Sequence, residues 1–188
     1  SEEEKEEALN SLKNPRLVRE ILEDLEKMGC VGEETSKLLG YIVTLSRKLT
    51  EPLSMIIVSQ SGAGKSNLAD ILGAITPKED FIHFSRLTPQ ALYYMEKNAL
   101  KGKLLVIEER AGSQEANYPL RALQSKKSLS LAATTKDPRT GQMKTKTFGI
   151  EGSPSTVETT TDISVHPENA SRCFLHTMDE SERQTKRI

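Results

Sequence analysis

Residues 56–72, IIVSQSGAGKSNLADIL, constrain the fold more than any other stretch. A short β-branched run (LSMIIVS, 53–59) gives way to small residues, reaches a lysine, and resumes with the spacing of an amphipathic helix. An apolar run this short suits a strand covered on both faces, and such strands belong to parallel sheets with helices on each side. FIHF (81–84), KLLVIEE (103–109), STVETTT (155–161) and RCFLHTM (172–178) are the further candidate strands. Helical segments are predicted for 65–74, for Pro89 through Met95 capped by Thr88, and for 114–124. The expected core is therefore an α/β, mainly parallel five-stranded sheet. SLSLAATT and MKTKTFGIE alternate around KDPRTGQ, a turn-rich segment, and read as an inserted β-hairpin with a basic tip.

Ahead of this core, residues 3–48 have a helical pattern. Asn14 reads as an N-cap before Pro15, followed by Leu17, Val18, Ile21, Leu22 and Leu25 on one face. EETSKLLGYIVTLSRKL forms a further helix, and Pro52 closes the preface. The division expected is an N-terminal helical segment (1–50) and a core (51–188). The ends of the chain read as those of a fragment, with a C-terminal lid or further domains lying outside it.

The loop itself predicts chemistry. In SGAGKS, glycines let the backbone curl so that successive N–H groups face inward, and the positive start of the following helix attracts phosphate. The residues assigned to nucleotide are Ser61, Gly62, Ala63, Gly64, Lys65, Ser66 and Asn67, with Lys65 reaching the β and γ phosphates and Ser66 offering its hydroxyl to Mg²⁺. The usual pattern is GxxxxGK[ST], and Ser59 stands where its first glycine belongs. Serine is acceptable there if the backbone stays extended, because only positive φ demands glycine. The plainer alternative is a glycine-rich turn opening an ordinary helix.

A neighbouring buried strand should then end in a carboxylate that holds the hydrated magnesium. KLLVIEE ends in two, which suggests Glu108 on the metal and Glu109 polarising the attacking water, a division suited to NTP hydrolysis. A solvated pair, or a surface salt-bridge cluster with Arg110, is the competing reading.

Charge excludes some classes and localises others. The formal net charge of −1 argues against nucleic-acid binding by the protein as a whole, yet residues 121–146 carry seven basic residues against Asp137 alone. Residues 2–9 hold five glutamates and one lysine, read as a solvated helix face. Cys30 and Cys173 lack metal or disulfide spacing, and a reducing compartment follows. His83, His166 and His176 show no ligand pattern and are assigned core or surface roles; Tyr93 and Tyr94 are assigned to packing. No apolar run approaches the roughly 20 residues of a membrane span, so a cytoplasmic protein without membrane partners is expected.

The loop, the VIEE strand end, the hairpin, TTTDI, ENASRCF and DESERQTKRI together resemble an AAA+ type P-loop ATPase, over about residues 30–188. They are most similar to the helicase-like module of DNA primase proteins of bacteria and mobile elements, which is related in layout to minichromosome-maintenance and viral superfamily III helicases. The resemblance implies a three-layer fold, ATP and Mg²⁺ as cofactors, and Glu108 and Glu109 as the acidic pair. It implies a sensor at Thr160 or Thr161, where asparagine is more usual, and Arg172 as a finger reaching a neighbouring subunit's nucleotide. It also implies a pore hairpin whose Lys136, Arg139, Lys144 and Lys146 grip the DNA backbone. Phe148 is the one aromatic nearby, so base stacking should not dominate. Partners implied are single-stranded or forked DNA, copies of the same chain in a hexamer, and a primase domain or protein. A non-motor initiator or loader is the first alternative, a small-molecule P-loop kinase the second.

Overall fold

The computed structural model describes residues 1–88, 90–109, 114–136, 138–165 and 167–188, and for 114–116 the backbone alone. Three helices come first, α1 (Glu2–Leu12), α2 (Leu17–Lys27) and α3 (Glu34–Ser46). A capping box starts α1: the Ser1 hydroxyl accepts from the Glu4 N–H at 3.2 Å while the Glu4 carboxylate returns to the Ser1 amine at 2.5 Å. The helix buries no residue, as an acidic solvated face should not. Asn14 does not cap α2. Its side-chain oxygen accepts from the Arg16 N–H at 2.9 Å, an Asx turn that competes with capping and delays the helix to Leu17.

Next come β1 (Ser54–Val58), α4 (Lys65–Ala74), β2 (Phe81–Arg86), β3 (Leu104–Glu109), α5 (Gln114–Lys126), β4 (Ser128–Lys136), β5 (Met143–Glu151), β6 (Ser155–Thr160), α6 (Pro167–Ala170), β7 (Phe174–His176) and α7 (Glu182–Thr185). The helix predicted from Pro89 to Met95 is instead a single 3-10 turn, Ala91–Tyr94, and Pro89 lies outside the described residues. In that turn Leu92 is fully buried, whereas Tyr94 points outward to meet Phe148 edge-on at 4.8 Å. The strand predicted over 172–178 shrinks to three residues, because β7 pairs only with β1 and leaves Phe174 and Leu175 half exposed.

Five strands form one parallel sheet in the order β2-β3-β6-β1-β7, and β4-β5 form the separate antiparallel hairpin. Alternation divides the core. Met55, Ile57, Leu104, Val106 and Val157 face Val43 of α3 and Leu68 and Leu72 of α4, while Leu105 and Ile107 face Leu120 and Leu123 of α5 and Leu129 and Ile150 of the hairpin. This is an α/β three-layer fold, and each fully buried aliphatic side chain stabilises it by about 1.5–3 kcal/mol. Among the described residues, no helix is long and apolar enough to cross a membrane.

Candidate nucleotide-binding site

At the carboxyl end of β1 the chain stays extended through Ser59, whose N–H still bonds the Thr160 carbonyl at 3.2 Å. Ser59 has no positive φ. Its hydroxyl donates to the Val58 carbonyl at 2.7 Å and accepts from the Met178 N–H at 2.8 Å, roles a glycine lacks. The turn is made further on by Gly62 and Gly64, with φ of 84° and 86°, and nothing lies within 4 Å of a Cβ built on Gly62. Gly64 is the N-cap of α4, so the loop's amides and the helix start converge.

Lys65 lies buried beneath this turn. Its ammonium donates to the carbonyls of Ser59 and Gln60, both at 2.6 Å. An ammonium has three N–H donors, so two are used to brace the loop and a third remains for an anion. Burial holds the Lys65 pKa below the ordinary lysine range, opposed by the carboxylate of Glu180. A triphosphate would supply the missing negative charge, so the loop fits that group.

Strand order supplies the opposite wall. Because β6 lies between β1 and β3, its tip sits between the loop and the carboxylates of β3. A cleft of about 580 Å³ is lined by Ser61, Gly62 and Gly64–Asn67, by Glu108 and Glu109, and by Thr159–Asp162. The Thr159 hydroxyl donates to the Glu108 carbonyl, tying the two strand ends together. The Thr160 hydroxyl accepts from the Asp162 N–H at 3.1 Å, which leaves its own proton to donate. His83 on β2, assigned no catalytic role by the sequence, has its Nε2 3.0 Å from Glu108 Oε1. With the proton on Nε2, it orients that carboxylate. Arg110, the suggested surface partner, lies outside the described residues, as does His166.

A second cavity, about 670 Å³, opens on the other side of the loop and shares Ser61, Gly62, Gly64 and Asn67 with the cleft. Its remaining walls come from Gln60 and Ala63 of the loop, from Gly29–Val31 and Glu33 before the sheet, and from Met178–Glu180, Gln184, Thr185 and Ile188 at the C-terminal end. This C-terminal strap is pinned by polar contacts. The Gln60 N–H donates to Glu180 at 2.8 Å, the Asp179 N–H to Glu33 at 2.7 Å, and Gln184 Nε2 to the Val31 carbonyl at 2.6 Å. Sequence reading counts DESERQTKRI toward the resemblance but gives the strap no place in the site, because its residues carry no apolar period. The one local signal is Ser181, which caps α7 by accepting from the Gln184 N–H. Asn67 Nδ2 donates to the Gly29 carbonyl at 3.0 Å, joining the loop to this second wall.

The other sequence-assigned residues lie elsewhere. Arg172 is exposed, bonds Ser125 Oγ at 2.8 Å and the Glu168 carbonyl, and lines neither cavity. Lys136, Arg139, Lys144 and Lys146 are all exposed on the hairpin, whose Asp137 lies outside the described residues. Pairing of Thr135 with Lys144 and Ala133 with Lys146 puts Lys144 and Lys146 on one face with Phe148 and Ile150. Lys136 pairs with Met143 and belongs to the opposite face, so the four cations do not form a single stripe.

One family model, described as the MTBMA_p00010 P-loop domain, matches residues 2–188. No curated protein matches the chain.

Proposed function

We propose, from the premise that the chain belongs to the MTBMA_p00010 P-loop domain family, that this nucleotide-binding P-loop domain is an ATP-hydrolysing motor that acts on DNA. P-loop NTPases take up nucleotide together with Mg²⁺. The observation that carries the proposal is the joint cleft, in which the loop, the paired carboxylates and the β6 tip meet. The amides of the Gly62–Asn67 turn and the third Lys65 N–H would hold the phosphates, and Ser66 and Glu108 would hold the ion. When bound, that ion neutralises charge on the triphosphate. Glu109 orients and deprotonates a water, and Thr160 offers its hydroxyl proton beside it. His83 keeps Glu108 in position.

The reading as an AAA+ type helicase-like module, related to primase-associated and minichromosome-maintenance ATPases, adds two further roles. Arg172, exposed and outside its own cleft, reaches the nucleotide of the next subunit in a hexameric ring. The hairpin grips DNA phosphates, principally through Lys144 and Lys146. Its support is continuity of the chain: β5 runs through Gly152, Ser153 and Pro154 directly into β6, whose far end is Thr160.

ATP turnover and strand separation on forked DNA test this reading. Lys65→Ala should abolish hydrolysis; if turnover by the assembled protein survives that change, the site assignment is wrong. Nucleotide-dependent DNA binding without unwinding favours the loader, and phosphate transfer to an acceptor other than water favours the kinase. Lys144→Ala should lower the salt dependence of DNA affinity by about 0.7–0.9 in log–log slope.

A further inference from the structure

The second cavity has a polar group whose orientation is fixed. Gln184 is 3% exposed, yet it forms part of the cavity wall. Its Nε2 donates to the Val31 carbonyl at 2.6 Å, which settles which end of the amide is which, since the flipped group would set one carbonyl oxygen against another. The amide lies over Gly32, which has φ 68°, and a Cβ there would come within 2.4 Å of Oε1. Among the described residues nothing donates to Oε1, and Oε1 is not among the fully enclosed polar atoms without a partner. Oε1 is therefore an acceptor that is not fully enclosed, on a residue that lines the cavity.

The surroundings suit a nucleobase. The volume of about 670 Å³ falls within the usual range for small-molecule sites, and Val31, Met178 and Ile188 supply apolar walls for a flat ring. The cavity shares four residues of the phosphate loop with the cleft, so the two adjoin and one ligand can set a base here and phosphates there. We propose that Gln184 reads the base, its Oε1 accepting from an exocyclic amine, so that the site takes ATP in preference to GTP. This rests on the nucleotide-binding reading given above. Adenine places an N–H donor at its 6 position, whereas guanine and hypoxanthine place an oxygen there. Two acceptors face to face leave both unsatisfied, and a site built to hydrogen-bond one group rejects the analogue that lacks it.

The test measures dissociation constants of the full chain by titration calorimetry. The ligands are ATP, GTP, inosine triphosphate, purine riboside triphosphate (no group at position 6), CTP, UTP and inorganic tripolyphosphate. The native chain should bind ATP at least about tenfold more tightly than the three other purine nucleotides, and amine-bearing CTP more tightly than UTP. Gln184→Met, which keeps the volume and removes the amide, should bring ATP and GTP within about twofold while tripolyphosphate binding is unchanged. A purely structural pin would instead weaken ATP and GTP equally and leave their ratio intact. Equal affinity of the native chain for ATP and purine riboside triphosphate, or an unaltered ATP/GTP ratio in the variant, overturns base reading while nucleotide binding stands. If neither ATP nor tripolyphosphate binds, the nucleotide reading fails and takes this proposal with it. Should Gln184→Met not fold, the ligand series on the native chain decides alone.

Discussion

Restoring the glycine that the loop pattern expects, by Ser59→Gly, should weaken this protein. Ser59 is 6% exposed and its φ is not positive, so glycine relieves no strain there. What it removes is the hydroxyl that accepts from the Met178 N–H at 2.8 Å, and Met178 is itself buried. Leaving that N–H unpaired costs about 1–3 kcal/mol, and the extra freedom of glycine in the unfolded chain adds about 0.5–1 kcal/mol. The sum, about 1.5–4 kcal/mol, corresponds for a domain of this size to a fall of about 3–16 °C in Tm. Ser59→Ala separates the two contributions, since it removes the hydroxyl without loosening the backbone and leaves too little room for a replacement water. It should cost about 1–3 kcal/mol. Urea unfolding of the three proteins at one pH gives the ranking wild type, then alanine, then glycine. If the glycine variant is as stable as the native chain, the Ser59 hydroxyl does not hold the strap and the argument from this contact is wrong.

Three further predictions follow from charged groups. Burial lowers the Lys65 pKa and a bound triphosphate must raise it, so binding takes up a proton in alkaline solution. Affinity should be flat at neutral pH and fall as pH rises through the lowered value, which lies below the ordinary lysine range. Calorimetry at successive pH values through the alkaline range, in buffers of different ionisation enthalpy, measures the uptake, and none at any pH in the native chain would contradict the buried-ammonium account. His83→Ala removes the group oriented toward Glu108 and should raise the Mg²⁺ concentration needed for half-maximal turnover by about 10–100-fold; an unchanged requirement separates His83 from the metal site. Asp80 is held below the usual carboxylate range by Lys48, 2.6 Å away, and then by Arg47 at 3.2 Å. A depressed folded pKa gives stability that is present above the unfolded value of about 3.9 and lost as pH falls through the folded one. Asp80→Asn should flatten the acid limb of the urea midpoint against pH, with little change in the slope elsewhere.

The parts of the fold legible in the sequence are those with a periodic or steric signature. Strand β1, the glycine turn and α4 follow from a β-branched run, two positive-φ positions and a helical period, and β3 from six residues that are apolar until they reach the carboxylates. The hairpin follows from alternation about turn residues. Pairing between distant polar groups leaves no such trace. Nothing near His83 points to Glu108, because the contact depends on β2 lying next to β3. The strap residues Glu180 and Gln184 meet partners 120 and 153 positions away, through hydrogen bonds that any polar residue could signal. Likewise, the separation of Lys136 from Lys144 and Lys146 depends on hairpin register, and a shift of one residue would reverse it.

The same architecture says which parts can move when the site fills. All six residues of β6 are buried, and it is paired to β1 on one side and β3 on the other. Sliding it by one residue would exchange the faces of Val157 and Glu158 and set a carboxylate among Met55, Ile57 and Val106, so β6 cannot carry motion along its own axis. The hairpin is tied at its base by the Glu151 N–H to the Lys97 carbonyl at 2.6 Å and the Gly152 N–H to the Lys127 carbonyl at 2.8 Å, and along one face by Phe148 against Tyr94. Load on its tip therefore acts through these ties as on a lever. The strap beyond β7 has neither sheet pairing nor a continuous apolar face; it is held by Met178 in the core, by hydrogen bonds to Ser59, Gln60, Val31 and Glu33, and by the Arg187–Glu34 ion pair at 3.3 Å. Segments fixed in that way open at lower free energy than paired strands. The paired sheet thus keeps Glu108 and Thr160 in register, while the strap, with Met178 bonded to Ser59 at one end and Gln184 lining the second cavity, touches both the phosphate loop and that cavity.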